Sequence, residues 1–542
     1  METHCIPYTD LPHYSRLFAD YLYDYPRVSE FYAFNPLEEE SFHRAARLLQ
    51  YSDPLRKSVT EILEEQNRGF SSGEASQESL RRLAQPGCYA VVTGQQTGLF
   101  SGPAFAFYKA LTAIKVSRTL TERGIEAVPV FWLATEDHDL AEVNHCYVQA
   151  RDGSLERIEY SGEPPVRNAP VGTVRFNETI QTSLQALSEF LPDSSARSEV
   201  LGALADCYRP GESLGTAFGR FLARVFGPFG VVFVDPMDER LHALSSPVFA
   251  TAVESAVPLG EMIVARSQRL VESGYHAQVR ATENSTLLFL HSGGRRQALR
   301  RRDGRFSTVE GEPFSTEELL AWQGKQPQVL SPNVLLRPVM QDFLLPTVAY
   351  VGGPSELAYL AQAVPLYERI LGRMPVLVPR ASFTFLEPAI QRLLRKYGLT
   401  LRDVCSGKQP LREKMAARFL PPDLTASFQQ ASAGLAKSLN ALQTSLAKLD
   451  PTLAAAAANS GRKMHYQLST LERKAAQAAH NRTEQVERDA LRLENALYPQ
   501  KTLQERVYSG INYLARYGPS LLDQIYSQVS IQCNDHQVAL LD

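Results

Sequence analysis

Residues 88–134 read CYAVVTGQQTGLFSGPAFAFYKALTAIKVSRTLTERGIEAVPVFWLA, and this stretch decides the fold. Residues 88–94 form a short apolar run that is typical of a buried strand, and residues 101–120 have the length and apolar content of a helix. Pro103 lies near the first helical turn, where its missing N–H is not needed. Residues 128–134 form a second apolar run. A strand, a helix and a strand in so short a stretch predict a βαβ unit with parallel strands.

Further apolar runs extend this pattern along the chain. Residues 230–236, 347–354 and 375–380 are apolar runs that contain or end in Gly, Asp or Pro, and helical patterns follow the first two. Together with the βαβ unit they predict an α/β fold, a doubly wound, Rossmann-like core with a parallel sheet. The predicted organisation is a helical N-terminal segment (1–85), three core parts (86–145, 213–270 and 330–421), two connecting insertions (146–212 and 271–329), a coiled-coil hairpin (422–498) and a C-terminal helical segment that packs back on the core (499–542).

The two insertions have the pattern of β-hairpins. Residues 146–160 place an Asp-Gly pair between two alternating segments, and residues 285–309 contain a Gly-Gly and an Asp-Gly pair between short strands. Five arginines lie on the second hairpin: Arg295, Arg296, Arg300, Arg301 and Arg302. We interpret them as a solvated hairpin face, with phosphate binding as the alternative.

A heptad pattern follows Pro422. Apolar residues recur at spacings of three, four or seven, which is an a/d seam: Phe428, Leu435, Leu439, Leu442, Leu446 and Leu449. Pro451 interrupts the seam, and Met464 begins a second one. Two long helices with narrow apolar stripes predict a coiled-coil hairpin, and we expect a homodimer to form through it.

Composition excludes several classes of protein. The chain has 542 residues, of which 44% are hydrophobic, and its formal net charge is −3, so we expect a large globular protein rather than a nucleic-acid or anionic-membrane binder. No apolar run approaches the roughly 20 residues needed to cross a bilayer, and the first residues lack the pattern of a signal peptide. The six cysteines are scattered and form no CxxC pair, which indicates free thiols and a cytoplasmic location.

Three polar loops follow strands of the predicted sheet, at residues 93–103, 135–139 and 352–356. The carboxyl ends of parallel strands meet at one edge of a sheet, so these loops should share a cleft. Small residues and free N–H groups at two helix N-termini favour an anion or phosphate. The candidate substrate-binding residues of the first and third loops are Thr93, Gly94, Gln95, Gln96, Thr97, Gly98, Ser101, Gly102, Gly352, Gly353, Ser355 and Glu356.

The second loop places four titratable residues in a row, which are the candidate catalytic residues: Glu136, Asp137, His138 and Asp139. At the mouth of a cleft a carboxylate can bind a ligand amine, and a histidine can transfer a proton near neutral pH. The alternative is that the acids cap the following helix. Potential metal ligands continue to Cys146, but their spacing fits no zinc pattern, and we predict no metal. Neither a GxGxxG nor a GxxxxGK[ST] motif is present.

Five segments resemble, in order, the bacillithiol biosynthesis cysteine-adding enzymes (the BshC family): VVTGQQTGLFSGPAFAFYKAL, VPVFWLATEDHDLAEVN, NVLLRPVMQDFLLPTVAYVGGPSELAY, MPVLVPR and INYLARYGP. The resemblance covers nearly the whole chain. It implies a Rossmann-like core related to class I aminoacyl-tRNA synthetases and other nucleotidyltransferases, with connecting insertions and a coiled coil that dimerises. It also implies a ligase that adds cysteine to the glucosamine amine of glucosaminyl-malate.

The resemblance to class I synthetases suggests roles for several residues. The segment that ends in Tyr108 and Lys109 occupies the place of the HIGH signature, which adds these two residues to the candidate substrate-binding residues. The EDHD loop resembles an acidic loop that binds an amino acid's ammonium group. The KMSKS loop has no lysine-bearing counterpart, although Arg380 lies near that position. Amide formation needs an activated acyl donor, so we expect ATP/ADP as the nucleotide, with cysteinyl adenylate as the simplest donor. The alternatives are a transferase that uses a pre-activated cysteine and a non-catalytic, nucleotide-binding dimeric scaffold.

A candidate nucleotide site lies away from the acidic loop. Residues 503–519 are rich in Arg, Asn and Tyr, whose side chains can pair with phosphates and stack on a base. With residues 379–385 they give the candidate nucleotide-binding residues Arg380, Ser382, Arg506, Asn512, Tyr513 and Tyr517. The alternative is an ordinary docking helix with the tyrosines as packing residues.

Overall fold

The computed structural model describes residues 1–162, 166–282, 284–309, 311, 313–418, 422–480 and 484–541. The chain divides into two compact units. The first comprises Met1–Thr384 and Glu505–Ala539, and the second comprises Phe385–Gln504 and Leu540–Asp542. The finer division drawn from the sequence stays a prediction.

The strands and helices are numbered here in chain order. The strands are β1 (Glu2–Ile6), β2 (Tyr89–Gln96), β3 (Ala127–Ala134), β4 (His145–Gln149), β5 (Leu155–Glu159), β6 (Val232–Val234), β7 (Ser285–Ser292), β8 (Arg295–Arg302), β9 (Arg305–Ser307), β10 (Leu330–Pro332), β11 (Thr347–Gly352), β12 (Val376–Pro379), β13 (Phe383–Leu386) and β14 (His536–Leu540). The α-helices are α1 (Arg16–Tyr23), α2 (Glu39–Leu48), α3 (Asp53–Gly69), α4 (Glu74–Leu83), α5 (Phe105–Glu122), α6 (Leu140–Val143), α7 (Thr179–Phe190), α8 (Arg197–Cys207), α9 (Leu214–Phe226), α10 (Glu239–Leu244), α11 (Ser246–Glu254), α12 (Ala256–Glu272), α13 (Thr316–Lys325), α14 (Arg337–Leu344), α15 (Pro354–Ile370), α16 (Pro388–Tyr397), α17 (Leu401–Cys405), α18 (Lys408–Ala417), α19 (Pro422–Leu449), α20 (Pro451–His480), α21 (Glu484–Leu497), α22 (Gln504–Val507), α23 (Gly510–Tyr517) and α24 (Ser520–Gln528).

The central sheet of the first unit confirms the predicted Rossmann-like core. Its strands lie in the order β6-β3-β2-β11-β12, and every neighbouring pair is parallel. Val92 of β2 pairs with Val130 on one side and with Tyr350 on the other. Because the chain builds the sheet outward from β2 in both directions, a crevice opens at the carboxyl ends of β2 and β11, where such folds bind ligands.

Helices on the sheet faces explain why the strands are apolar throughout. The side chains of Val130, Phe131 and Trp132 on β3 are fully buried. On one face, α2 and α5 contribute residues such as Phe42 and Val116 to a core shared with β2, β11 and β12. Each large apolar side chain buried there contributes about 1.5–3 kcal/mol, so the sheet is a rigid support for the loops at its end.

Both predicted β-hairpins are present, although the first is followed by helices α7 and α8. Strands β4 and β5 pair in antiparallel fashion across the Asp-Gly turn, where Gly153 has a φ of 90°. Strands β7, β8 and β9 form an antiparallel meander that β10 joins, in the order β10-β7-β8-β9. The glycines at the two tight turns have positive φ, for example 75° at Gly294 and 78° at Gly304, a conformation that residues with a Cβ rarely adopt.

The N-terminal segment is helical from α1 to α4, as the spacing of its apolar residues predicts, but it begins with a strand. Strand β1 lies beside β14 at the edge of a small sheet, so the first residues lie next to the last strand of the chain. This pairing was not predicted, because a contact between residues more than 500 positions apart leaves no local pattern in the sequence.

The second unit contains the predicted coiled coil. Helices α19 and α20 pack against each other as a hairpin, with the turn at Asp450, and a Cβ at Gly461 would lie only 3.2 Å from Leu439 Cδ1. Helix α21 buries Val486 and Leu493 within this unit, beside α16, α17 and α18. Leu442 and Leu471 of the hairpin stay 53% and 58% exposed, so pairing of the two helices does not cover their apolar residues completely.

Within the described part of the chain, no single helix has the length and apolar content of a membrane span; one bent pair, α11 with α12 at 81°, passes that test only when the two are taken together.

Candidate functional site

A cavity of about 570 Å³ opens in the first unit at the carboxyl ends of β2 and β11. It brings together residues of all three predicted loops: Gly94, Gln95, Gln96, Glu136, Asp137, His138, Gly353, Ser355 and Glu356. Lys109 from α5 also lines it, as do four arginines: Arg296, Arg337, Arg380 and Arg506. The predicted convergence of the loops therefore exists, and a strand order that reverses at β2 creates it.

Several candidate substrate-binding residues shape the first loop instead of facing the cavity. The hydroxyl of Thr93 donates to the Val351 carbonyl at 2.8 Å, and Thr97 is buried. Gly98 and Gly102 face each other so closely that a Cβ on Gly98 would lie 2.7 Å from the Cα of Gly102. Ser101 is buried and lies 3.0 Å from the Ser509 hydroxyl.

Two more of these candidates lie behind the cavity wall. Gly352 is the last residue of β11 and pairs with Pro379. Tyr108 is buried on α5, with its ring 5.2 Å from that of Phe383. Of the Tyr108–Lys109 pair, only Lys109 reaches the ligand space, because successive residues of a helix point in different directions.

Lys109 and Glu356 form an ion pair that links two loops of the cavity. Lys109 Nζ lies 2.5 Å from Glu356 Oε2 and donates to the Gly94 carbonyl at 2.8 Å. Glu356 also accepts from the Tyr350 hydroxyl at 2.6 Å and from the Gly353 N–H at 2.8 Å. Burial alone would raise the pKa of Glu356, but the charge of Lys109 and these hydrogen bonds lower it, so Glu356 is ionised and holds α15 against β2.

The arginines of the cavity differ in their partners. Arg380 donates to both carboxylate oxygens of Glu505, at 3.0 and 2.6 Å, and this buried pair is already neutral. Arg337 donates to the Tyr359 hydroxyl at 2.7 Å. Among the described residues neither Arg337 nor Arg506 forms an ion pair with a carboxylate, so their charges are available to an anionic ligand.

The acidic loop distributes its charges over different partners. Glu136 is buried and Oε1 lies 2.8 Å from His242 Nε2. Asp137 accepts hydrogen bonds from the Gln96 side chain and, at 2.7 Å, from the His138 N–H. Asp139 is exposed, does not line the cavity, and caps α6 by accepting from the Glu142 N–H at 3.4 Å. The helix-cap alternative therefore describes Asp139, while the other acids face the cavity.

His138 is held by an arginine from the second insertion. Arg296 Nη1 lies 3.1 Å from His138 Nδ1, and the guanidinium carbon lies 3.8 Å from the centre of the Phe289 ring. Arg296 also donates to the Ser331 hydroxyl at 3.1 Å and to the Pro332 carbonyl at 2.7 Å. A guanidinium can only donate, so Nδ1 accepts and the proton of the neutral imidazole lies on Nε2. Burial, and next the charge of Arg296, lower the pKa of His138, which favours that neutral form.

The interpretation of the hairpin arginines as a solvated face is wrong for Arg296, which is only 8% exposed. It holds for Arg300 and Arg302, which are exposed on the same strand. Side chains alternate between the two faces of β8, so residues 296, 300 and 302 share one face, and the local sequence does not distinguish them. Tertiary packing distinguishes the three arginines, because Arg296 is the one of them that contacts Phe289 and His138.

The candidate nucleotide-binding residues split into two groups. Arg380 and Arg506 line the same cavity as His138, so they do not form a site away from the acidic loop. Ser382 lies 2.7 Å from His536 Nδ1, and Asn512 accepts from the Gln149 N–H at 2.9 Å. Tyr513 is buried, Tyr517 is half-buried, and neither lines the cavity. The location of Tyr513 and Tyr517 agrees with the docking-helix alternative, and the nucleotide-binding assignment of these four residues stays a prediction.

Sequence reasoning missed Arg337 and His242. Arg337 is a charge within the otherwise apolar segment LLRPVM at the start of α14, which was an available signal. His242 gave no signal, since one histidine on a short helix is ordinary. In the described residues, no group of three or more His, Cys, Asp or Glu side chains is placed to hold a metal ion.

Comparison with known proteins gives a consistent result over the whole chain. Residues 1–381 match the family described as "Bacillithiol biosynthesis BshC, N-terminal Rossmann-like domain", and residues 383–541 match its C-terminal coiled-coil domain. A protein of Koribacter versatilis is 41% identical over 536 residues, which cover 98% of this chain and 99% of that protein. A protein of Solibacter usitatus is 38% identical over 541 residues, which cover all of both chains. Both carry the name "Putative cysteine ligase BshC".

The Glu136–His242 pair predicts a pH-dependent stability. Burial opposes both charges, but the attraction between them, with their hydrogen bond, raises the pKa of His242 above 6.5 and, with the charge of Arg296, lowers that of Glu136 below 4.5. The contribution of His242 to the free energy of unfolding is complete below pH 6.5, and it is lost as the pH rises through the raised pKa of His242. That of Glu136 is complete above pH 4.5 and is lost as the pH falls through its lowered pKa. The pair therefore stabilises the fold most between pH 4.5 and pH 6.5, where both contributions are complete.

We expect His242→Gln to lower the free energy of unfolding by about 2 kcal/mol more at about pH 6 than at about pH 9. Denaturant titrations at the two pH values measure this difference. His276→Gln, which changes an exposed histidine of the same unit, is the control and should show no such difference. An equal loss for His242→Gln at both pH values would mean that the pair carries no net charge interaction.

Proposed function

Because the chain belongs to the family of bacillithiol biosynthesis BshC proteins, we propose that it is a ligase that joins cysteine to the glucosamine amine of glucosaminyl-malate. The product is an amide between the cysteine carboxyl and that amine. The observation that supports this proposal most directly is the cavity at the ends of β2 and β11, which carboxylates and guanidinium groups without a carboxylate partner line together. Both substrates carry amine and carboxyl groups. The carboxylates of the cavity can bind the amines, and its guanidinium groups can bind the carboxylates.

Asp137 is the residue to which we assign the substrate amine. Its carboxylate lines the cavity, and its hydrogen-bond donors, Gln96 and the His138 N–H, are neutral. The Nδ1 atom of His138 also lies 3.7 Å from Asp137 Oδ1, but burial and the charge of Arg296 lower the pKa of His138 and favour its neutral form, which does not compensate the carboxylate. An ammonium group can therefore pair with Asp137, and the same carboxylate can accept the proton that the amine loses on acylation. Glu136 is a weaker base. Burial alone would raise its pKa, but the charge of His242 and their hydrogen bond lower it, so Glu136 takes up a proton less readily.

Arg337 and Arg506 are the residues to which we assign the anionic groups. Both line the cavity and neither is paired with a described carboxylate, unlike Lys109 and Arg380. Glucosaminyl-malate carries two carboxylates, and a bidentate guanidinium contact would fix its orientation. The reacting amine would then lie at the acidic side of the cavity.

His138 acts as a hydrogen-bond donor in this proposal, and not as the base. Arg296 occupies Nδ1, so Nε2 of the neutral ring carries the proton. A donor at that position can stabilise the negative charge that develops on the acyl oxygen during attack. Arg296 is a positioning residue, because it acts through the tautomer and orientation of His138.

The acyl group must be activated, because amide formation from a free carboxylate is uphill in water. We propose that ATP supplies this activation, and when bound it would convert the cysteine carboxyl into a good acyl donor. Arg337 and Arg506 bind the carboxylates of glucosaminyl-malate in this proposal, so the part of this chain that fits a phosphate is the N-terminus of the 17-residue helix α15, at the same edge of the cavity. A metal ion is no part of the proposal.

We further propose that the protein is a cytoplasmic homodimer. Its six cysteines form no disulfide, as expected in a reducing compartment. The exposed apolar residues on α19 and α20, among them Leu442, Leu449 and Leu471, continue the predicted seam. A second copy of the hairpin would cover them.

Purified protein incubated with cysteine, glucosaminyl-malate and ATP should form the thiol amide and release AMP or ADP in equal amount. Mass spectrometry measures the amide, and chromatography measures the nucleotide. Product formation without ATP would indicate a transferase with a pre-activated donor. No product under any condition, with nucleotide binding retained, would indicate a scaffold.

Asp137→Asn should lower kcat/KM about 100-fold or more, because an amide neither pairs with an ammonium group nor accepts its proton. The thermal midpoint should stay within a few degrees, since Asp137 is only half-buried and Asn has nearly the same shape. Asp139→Asn is the matched control: the same change two residues away, at a helix cap outside the cavity, should leave activity within about threefold. Equal losses in the two variants would refute the role of Asp137.

Arg296→Gln should move the acidic limb of the pH–rate profile to higher pH. The charge of Arg296 helps to lower the pKa of His138, and neutral His138 is the active form, so removing the charge raises the pH at which activity appears. The profile of kcat against pH measures this shift. Arg300→Gln removes an exposed charge from the same strand and should leave the profile unchanged. An unshifted profile for Arg296→Gln would contradict the proposal that Arg296 acts on the reaction through the protonation of His138.

Leu471→Glu should convert the dimer to a monomer. Leu471 is 58% exposed on the hairpin, and a carboxylate there would be desolvated in the dimer. Light scattering after size-exclusion chromatography measures the mass. Val271→Glu, at a residue that is also 58% exposed but lies on α12 of the first unit, should leave the dimer intact. A dimeric Leu471→Glu variant would place the interface elsewhere.

A further inference from the structure

The six cysteines fall into two groups that differ in access to solvent. Cys88, Cys146, Cys207 and Cys405 are buried. Their burial keeps these four thiols out of contact with an oxidant in solution, and it also raises the pKa of each, for example to about 11 for Cys207 and to about 12 for Cys405. Cys5 is exposed and Cys533 is half-buried, which makes these two the accessible thiols.

Cys5 and Cys533 lie side by side although they are 528 positions apart in the chain, with their sulfur atoms 3.5 Å from each other. Cys5 is on β1, and Cys533 is in the segment that joins α24 to β14. We propose that these two thiols form a reversible disulfide that joins the two ends of the first unit. Neither residue lines the cavity, so this proposal does not depend on the proposed ligase activity.

The surrounding contacts hold the two segments in place. The Thr3 hydroxyl donates to Gln528 Oε1 at 3.0 Å, the Asn534 side chain donates to the Leu22 carbonyl at 2.9 Å, and the Tyr23 hydroxyl donates to Asp535 at 2.7 Å. These hydrogen bonds lie close to Cys5 and Cys533 and connect the N-terminal and C-terminal segments that carry them. A disulfide needs a sulfur–sulfur distance of about 2.05 Å, so the sulfurs must approach by about 1.5 Å, which rotation of two surface side chains can supply.

The oxidant that the reaction needs is a low-molecular-weight disulfide. One protein thiol loses its proton and attacks a sulfur of the oxidant, which forms a mixed disulfide and releases one small thiol. The second protein thiol then loses its proton and displaces the other half, which forms the Cys5–Cys533 bond and releases a second small thiol. Two protein thiols are oxidised, one small disulfide is reduced, and the two protons pass to the released thiolates.

The environment of Cys5 slows its reaction with an oxidant. Partial burial, and next the hydrogen bond with Cys533, raise the pKa of Cys5 to about 11, so little thiolate is present at neutral pH. Exchange therefore requires an excess of oxidant and reverses when thiols predominate.

The bond would secure strand β1 against the end of the first unit. Strand β1 lies beside β14, whose first residue, His536, contacts Ser382 and Thr384 at 2.7 and 2.9 Å. A covalent link across these termini closes a very long loop and so restricts the unfolded chain. We expect the oxidised protein to unfold at a higher temperature and to keep its activity.

Treatment of the full-length protein with oxidised glutathione tests the proposal. The wild type should lose two hydrogen atoms by intact mass and two titratable thiols, and a peptide that links Cys5 to Cys533 should appear in a digest. Its thermal midpoint should rise by about 3–6 °C, and dithiothreitol should reverse both changes. Cys5→Ser and Cys533→Ser should each retain one glutathione instead, because no second thiol is left to displace it.

Three results would overturn the proposal: a stable glutathione adduct on the wild type, a disulfide between two chains on a non-reducing gel, or equal thermal midpoints for the oxidised and reduced forms. Both serine variants change surface side chains, and their thermal midpoints in the reduced state should match that of the wild type. A lower thermal midpoint in either reduced variant would show that the thiol stabilises the fold by packing. That result would contradict the description of Cys5 and Cys533 as accessible thiols without a packing role.

Discussion

The parallel pairing of β2 with β3 on one side and with β11 on the other fixes where the cavity lies. Chain segments that leave the sheet in opposite directions at β2 cannot close over its carboxyl end, and the space between them is lined by whatever follows the strands. The Lys109–Glu356 ion pair then spans this opening and holds α5 against α15. The rest of the site depends on this strand pairing and on this ion pair, because together they fix where the acidic loop and the arginines lie at the strand ends.

Charge compensation decides which polar groups of the cavity can act on a ligand. The buried pairs Glu136–His242 and Arg380–Glu505 are satisfied within the chain, and removing one member would leave an uncompensated buried charge. Arg337 and Arg506 form no ion pair among the described residues, and Asp137 lies 3.7 Å from the Nδ1 atom of His138, whose pKa is lowered by burial and by the charge of Arg296, so that the ring is neutral. The chemistry that we propose therefore rests on the groups left unpaired, while the paired groups hold the walls in place.

The second insertion contributes directly to the site of the core. Its hairpin carries Arg296 to His138, where the guanidinium selects one tautomer of the imidazole and stacks on Phe289. A pattern of alternating strands and tight turns identified the hairpin, but it made Arg296 indistinguishable from the solvent-facing arginines beside it. The insertion is thus part of the functional cavity, and a description of the Rossmann-like core alone would miss a residue that sets the state of His138.

The sequence by itself determined the features that depend on neighbouring residues. Apolar runs and helical spacing identified the parallel core, Gly-containing turns identified both hairpins, the heptad pattern identified the coiled coil, and the loops at the strand ends identified most of the cavity. The tertiary structure alone decided which titratable groups meet: Glu136 and His242 are 106 positions apart, and Arg296 and His138 are 158 positions apart. The same holds for Cys5 and Cys533 at the two ends of the chain. Periodicity reports which face of an element is buried, but the partner of a buried charge is set by packing between distant elements, which leaves no local pattern.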